Sequence, residues 1–351
     1  MQVSPNTNDT PLGLSHFREM LGQYGIYQHA NNFSPNLQEG YCVDDNARAV
    51  LVLIPWIQQS PADTTELETF LDRCFQFVID AEHAPGAYYN FRDNNGVWLT
   101  HDISEDMYAR IARMYAHVIS HNTNADRIAA SKRSLIHLVP TLASLTATRA
   151  LAETIIAIRS LPATFCDSNP EFARIAQAHT ATLLDMWGSA SSQDWQWFEP
   201  AMTYANAILP HGILMSDHTL SERADACLHA SAKFLISTTI QDTIFMPIGN
   251  RGWYEKGGAP ARYDQQPIEA GTMFEFLLAY QAKFPDKISK EQLLAPYLWF
   301  LGRNTDRTVM ANTTIGSCFD GLEKTGPNPN CGAESTLAYL SAELAYRRLK
   351  S

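Results

Sequence analysis

SEDMYARIARMYAHVI, residues 104–119, is the stretch on which the fold turns. Met107, Ile111, Met114 and Val118 follow one another at spacings of four, three and four, which places them on one face of an α-helix. Ser104 stands where a hydroxyl can cap the first turn. The segment is rich in small residues and its acids sit at its start. Segments of this kind occur six times: Asp45–Ile54, Ser104–Ile119, Ala150–Leu161, Thr203–Met215, Pro267–Phe284 and Glu334–Leu349. In the last, Leu337, Leu340 and Leu344 form the stripe. Pro267 suits a first-turn position, where a missing N–H costs nothing, and Pro55 is expected to stop or kink the first.

Between them lie ordinary amphipathic segments: Leu14–Tyr24, Thr64–Ala81, Asp126–Leu145, Pro170–Trp187, Ser221–Ser237 and Lys290–Leu301. Six inner and six outer helices are the count for a closed ring of αα-hairpins. The pattern predicts an all-α (α/α)6 toroid, a six-hairpin barrel with long loops at one mouth. It is expected to span residues 1–351 as one domain, with 1–12 a flexible tail. Strand signals are confined to loops, near Tyr88–Leu99 and Thr243–Met246.

Composition limits the partners. The 351 residues carry 26 Lys and Arg against 37 Asp and Glu, a formal charge of −11, without a basic stripe. Nucleic acid and anionic membranes are poor matches for such a surface. No apolar run is long enough to span a bilayer and no secretory signal opens the chain, so a cytoplasmic location is expected. The six cysteines form no CxxC and read as free thiols. The eleven histidines include no HExxH. His117 and His121 are four apart, but His121 falls at a helix end. No metal and no cofactor is expected, and GxGxxG, P-loop and GxSxG patterns are absent. The oligomeric state is left open.

The acids are the informative residues. GYCVDDNAR holds Asp44 and Asp45, and HDISEDMYAR holds Asp102, Glu105 and Asp106. WQWFEPAMTYANA holds Glu199, ARYDQQPIEA holds Asp264 and Glu269, CFDGL holds Asp320 and GAEST holds Glu334. Inner-helix N-termini of a toroid converge at one mouth, so these carboxylates are expected to share a pocket. Helix N-termini stabilise carboxylates, while crowding raises the pKa of some. One acid can then stay protonated beside an ionised one, as glycoside cleavage requires. Trp195, Trp197, Phe198, Trp253, Tyr254, Tyr88, Tyr89 and Trp98 offer faces for sugar rings. Asn46, Asn206, Gln265 and Gln266 offer amides for hydroxyl pairs. The competing reading of any one acid is a helix cap, and of any loop aromatic a core plug. The double acid Asp44–Asp45 exceeds what a cap needs. The third segment, near Ala150, lacks a leading acid and reads as structural.

GYCVDDNARAV, YYNFRD, SEDMYAR, GNRGWYEKGGAPARYDQQPIEA, CFDGL and NCGAESTLAYL together resemble a bacterial group of (α/α)6 proteins that is itself similar to the toroidal glycoside hydrolases. Members occur beside, or fused to, glycosyltransferases and alongside mannoside phosphorylase genes. The resemblance covers about residues 37 to 347. It implies a glycan-processing role on mannose-containing oligosaccharides and carries over to Asp44, Asp45, Glu105, Asp106, Asp264, Gln265, Gln266, Glu269, Asp320 and Glu334. Met107 and Tyr108 replace a small or polar pair, Cys331 replaces Gln, and Ile315 replaces Gly. These departures bear on substrate identity.

The resulting expectation is a glycoside hydrolase acting on an oligosaccharide, with inversion favoured. Asp45, Asp106 and Asp264 are the candidate acid and base. Asp44, Glu105, Trp197, Glu199, Asn206, Trp253, Gln265, Gln266, Glu269, Asp320 and Glu334 are the candidate substrate contacts. The alternatives are a non-catalytic glycan-binding partner of a glycosyltransferase and a sugar epimerase or isomerase. The last calls for histidines as proton carriers in the pocket.

Overall fold

The computed structural model describes residues 12–60, 64–100, 103–217 and 221–350. The expected tail lies outside them except for Leu12, which is buried. Asp102, His101 and His218 also lie outside the described residues.

Fourteen helices are described. They are α1 (Ser15–Met20), α2 (Val43–Gln59), α3 (Thr64–Asp80), α4 (Glu105–His121), α5 (Ala125–His137), α6 (Val139–Ala143) and α7 (Thr148–Arg159) in the first half. The second half holds α8 (Ala163–Ser168), α9 (Pro170–Ala190), α10 (Ile208–Met215), α11 (Glu222–Thr239), α12 (Pro267–Lys283), α13 (Lys290–Phe300) and α14 (Ala333–Lys350). Helix α2 packs on α4, α4 on α7, α7 on α10, α10 on α12 and α12 on α14, and α14 returns to α2. That cycle is the inner wall. Helices α3, α5 and α11 back α2, α4 and α10, while α9 backs α7 and touches α10, and α13 backs α12 and touches α14. Short α1 supplies the sixth outer position. Its Phe17 stacks on Phe70 at 5.5 Å and meets Trp56 edge-on at 6.2 Å. His16 at the start of α1 takes hold of the far end of the chain: its backbone N–H donates to the Ile315 carbonyl, and its Nε2 lies 2.9 Å from the Cys331 carbonyl.

Local chemistry sets the boundaries. Ser104 Oγ accepts from the Met107 N–H at 3.2 Å, and Pro267 occupies the first turn of α12, both as the sequence implied. Helix α2 is not stopped by Pro55 but continues to Gln59. The predicted outer segment 126–145 is two helices, because Pro140 has no N–H to offer the Ile136 carbonyl and α5 ends beforehand. Helix α10 begins at Ile208 rather than at Thr203, because Ala205 takes φ +45° and holds the preceding residues in a turn.

The ribbons are small and lie in loops, as expected. One sheet pairs Phe91–Arg92 with Tyr41–Cys42 on one side and Trp98–Leu99 on the other, directly before α2. Another joins Ile240–Gln241 to Ile244–Phe245.

Small residues let the inner helices close up. At Gly212 in α10 an added Cβ would stand 2.8 Å from the Ala152 Cα of α7. Gly212→Ala gains about 0.5–1 kcal/mol of helix propensity, but it forces two backbones apart at a cost of about 1–3 kcal/mol. We expect a net loss of stability in urea unfolding. A variant as stable as the parent or more so would show that the α7–α10 contact is not close.

Candidate active site

The acid-bearing N-termini meet, and two arginines join them. Cys42 caps α2: its Sγ accepts from the Asp45 N–H at 3.4 Å, and its S–H donates to Asp45 Oδ2 at 3.0 Å. One turn on, Arg48 donates to Asp45 Oδ1 at 2.7 Å and reaches Glu334 Oε2 of α14 at 2.8 Å. Arg110 of α4 reaches Asp44 Oδ1 of α2 at 2.8 Å and Glu153 Oε2 of α7 at 3.2 Å. Four consecutive inner helices, α14, α2, α4 and α7, are thus tied by two guanidiniums. Burial opposes the charge on Arg110, but Glu153, Asp44, Glu334 and Asp106 together keep it firmly protonated. The Asp45 carboxyl is pushed up by burial; Arg48 pulls the other way, and Glu334 and Asp44 add to the rise.

The next arc of the mouth is built around the 203–207 turn. Glu269 of α12 is buried and accepts from the backbone N–H groups of Ala205 and Asn206 and from Asn206 Nδ2. Burial raises its pKa to about 7 against those hydrogen bonds. The turn presents Tyr204, whose hydroxyl donates to Asp106 Oδ2 at 2.6 Å. Arg149 of α7 lies over the Tyr204 ring at 4.3 Å, donates to the Tyr204 carbonyl and pairs with Glu199 at 3.0 Å. Thr148 Oγ1 donates to the same Glu199.

The remaining arc runs through Asp264 and Asp320. Asp264 adopts φ +63°, and its Oδ1 accepts from Gln266 Nε2 at 3.0 Å. Gly321 fits between Asp264 and Gln266, where a Cβ would stand 3.3 Å from Asp264 Oδ1. Asp320 accepts from the Gly332 N–H at 2.7 Å, and burial raises its carboxyl against that hydrogen bond. His29 and His16 come within electrostatic reach of Asp320. Neither histidine was singled out from the sequence.

Several candidates face elsewhere. Glu105 accepts from the Thr146 hydroxyl and from the backbone N–H groups of Thr146 and Ala147, which anchors the next hairpin. Trp197 is fully buried beside Phe198 and Phe234 and has no face left for a sugar. Gln265 is fully buried, with its amide spent on the Arg262 carbonyl, Thr305 and the Trp299 indole. Asn46 bonds the backbone of Ile26 and Cys42, and Asn206 bonds its own turn. Tyr88 is a core residue bonded to Tyr115, while Trp195 and Phe198 are also buried. Trp253 is 42% exposed in its loop. The third inner helix, read as structural for want of a leading acid, supplies Arg149 and Glu153 from within. Arg48 and Arg110 carried a signal, an arginine three or four residues after an acid at a helix start. Among the described residues no group of three His, Cys, Asp or Glu side chains could hold a metal ion, and no helix is long and apolar enough to cross a membrane.

No family model and no curated protein sequence matches the chain. Solved structures do. A sugar epimerase from a ruminal bacterium aligns with TM-score 0.72 and 9% identity over 94% of this chain and 94% of that one. The chain is an (α/α)6 toroid. The cellobiose 2-epimerase of Bacillus thermoamylovorans gives TM-score 0.69 and 10% identity over 97% of this chain and 96% of that one. The α-1,6-mannanase of a Salegentibacter species, as an inactive variant in complex with α-1,6-mannotetrose, gives 0.61 and 9% over 95% and 96%. At such identities the likeness concerns the fold.

Glu269 yields a signed prediction. Its pKa is about 7 in the folded state against an ordinary 4.5. Below about 4.5 both states are protonated and nothing is lost. As pH rises from there through about 7, the unfolded chain ionises first and the folded state loses stability. Relative to Glu269→Gln, the parent should lose up to about 3 kcal/mol across that window in urea unfolding. A difference that does not change with pH would show that Glu269 titrates normally.

Proposed function

We propose that the chain is a carbohydrate-active enzyme that hydrolyses an oligosaccharide with carboxylates at the N-terminal mouth of the ring. The carrying observation is the pair of arginine-centred clusters, which gathers Asp44, Asp45, Glu153 and Glu334 from three inner helices, with Asp106 of a fourth within electrostatic reach. Asp45 is the candidate acid, since burial favours its protonated form. Asp106, oriented by Tyr204, and Asp264, oriented by Gln266, are the candidate bases. A base acting on water beside a protonated acid is the inverting arrangement, which requires the working pair to stand about 6.5–9.5 Å apart. Glu334, with 44% of its side chain exposed, and Asp44, with 20%, are the candidate acceptors of sugar hydroxyls. Exposed Tyr204 and Trp253 offer ring faces. The motif resemblance and the mannotetrose bound to the mannanase favour a mannose-containing substrate.

Epimerisation is the second reading. It is favoured by the two epimerase structures and by His16 and His29 near Asp320. His16 is held neutral by burial and bonded to the Cys331 carbonyl, which suits packing better than proton transfer. A glycan-binding role beside a glycosyltransferase is the third.

Incubation with a panel of α-linked manno-oligosaccharides, with products separated and their anomers assigned by NMR, distinguishes the three. Hydrolysis gives new reducing ends. Replacing a working acid or base by Asn should lower kcat by about 10²–10⁴-fold. Full activity in Asp45→Asn, Asp106→Asn and Asp264→Asn alike would remove the assignment. Epimer formation without cleavage would support the second reading, and binding without any conversion the third.

A further inference from the structure

A cavity of about 510 Å³ lies along the ring axis beyond the arginine clusters. All six inner helices line it. Arg48, Arg110 and Glu153 stand at its inner end, and the two guanidiniums also reach Asp45, Glu334 and Asp44 of the N-terminal mouth, so these ion pairs lie between the cavity and the mouth. At its other end the lining residues include Gln58, His121, Ser160 and Met215, at the C-terminal ends of α2, α4, α7 and α10. This space is therefore on the side of the ring opposite the proposed hydrolytic carboxylates. Its size falls in the range of small-molecule sites.

We propose that this cavity is a second small-molecule site, which takes a neutral polyhydroxylated compound the size of a single sugar ring. The inference does not depend on hydrolysis at the other mouth. Three features carry it. First, the cavity's charges are largely compensated. Arg113 is paired with Glu275 and lies 3.6 Å from Glu153, which also takes Arg110. Arg348 lines the outer end. Second, donors and acceptors stand side by side. The Glu275 side chain is 43% exposed although it is ringed by helices, so its carboxylate opens onto the cavity beside the Arg113 guanidinium. A hydroxyl pair can donate to one and accept from the other. His117 Nε2 is buried without a hydrogen-bond partner on the same wall. Third, Gly271, Ala279, Ala338, Ser341 and Ala345 keep the α12 and α14 walls low, leaving room for an apolar ring face.

The other ligand chemistries fit less well. His117 and His121, with ring centroids 4.6 Å apart, suggest a metal pair. Arg113 and Arg348 lower His117 after burial and His121 have done so, Glu275 raises it, and among the described residues no group of three His, Cys, Asp or Glu side chains is placed to hold a metal ion. An anion would meet Glu275, Glu153 and the carbonyl ends of the inner helices. His211 is pushed down to about 4, mainly by burial, and is neutral at pH 7.

Calorimetric titration of the full chain with mannose, glucose and myo-inositol tests the idea. At least one probe should bind saturably, one per chain, and should still do so in Asp45→Asn/Asp264→Asn. Ser341→Phe, which fills open space, should abolish that binding. Glu275→Gln, nearly isosteric, should weaken it about tenfold or more by removing a charged acceptor. If Ser341→Phe does not fold, judged by circular dichroism, Glu275→Gln decides. No saturable binding by any probe, or binding unchanged in Glu275→Gln, would overturn the proposal. Binding of inorganic phosphate or Ni²⁺ that is lost in His117→Ala, with no binding of the neutral probes, would overturn the ligand class.

Discussion

The ring depends on how its axis is filled. Six inner helices can each bury two flanks against neighbours, but the faces turned to the axis meet no further layer of structure. In the N-terminal third that gap is spanned by Arg48 and Arg110 and the acids that hold them. Buried ion pairs are poor sources of net stability, since desolvation offsets much of their attraction, yet losing one partner strands the other. Each guanidinium therefore fixes the relative placement of helices that are distant in sequence. Farther along, small side chains leave the axis empty, and the cavity results.

The two ends of the ring consequently differ in chemistry. One end has free N–H groups, crowded carboxylates and long loops with ribbons. The other has free carbonyls, three histidines held neutral largely by burial, and walls of small side chains. The partition between them is a few side chains thick. Two environments of opposite helix-end polarity thus lie on one axis.

The fold was legible because it is written in periodicity. The 3.6-residue stripe in 104–119 reappears as the buried face of α4, and the count of six pairs fixed the ring. Positions where backbone special cases intervene were not legible. The left-handed Ala205 shortened α10, and Pro140 broke an outer helix. Within the site, placing acids at helix starts was sound, but which way a side chain points depends on tertiary partners. Glu105 and Asp106 are adjacent in sequence, yet one turns to the 146–147 backbone and the other to Tyr204. Trp197 and Trp253 look alike as loop tryptophans, and one is core while the other is exposed. Arg48 and Arg110 follow from the same acids by a second step, since a carboxylate drawn into a ring of helices obliges a cation to come with it.

The grip of α1 on the end of the chain has a consequence for how the molecule comes into being. His16 is bonded to residues 315 and 331, and α14 closes on α2, so the last hairpin completes a circle begun at the first. Neighbouring helices can pair as they are synthesised, but the ring cannot shut until α14 has left the ribosome. Until then the edges of α2 and α12 remain open, with apolar surface that the final helix covers. Closure brings together segments about 300 residues apart and carries the largest loop entropy in the fold, which makes it the natural slow step. Because α14 packs on α2 as the other inner neighbours pack on each other, the finished circle has no structural seam at the place where it shuts.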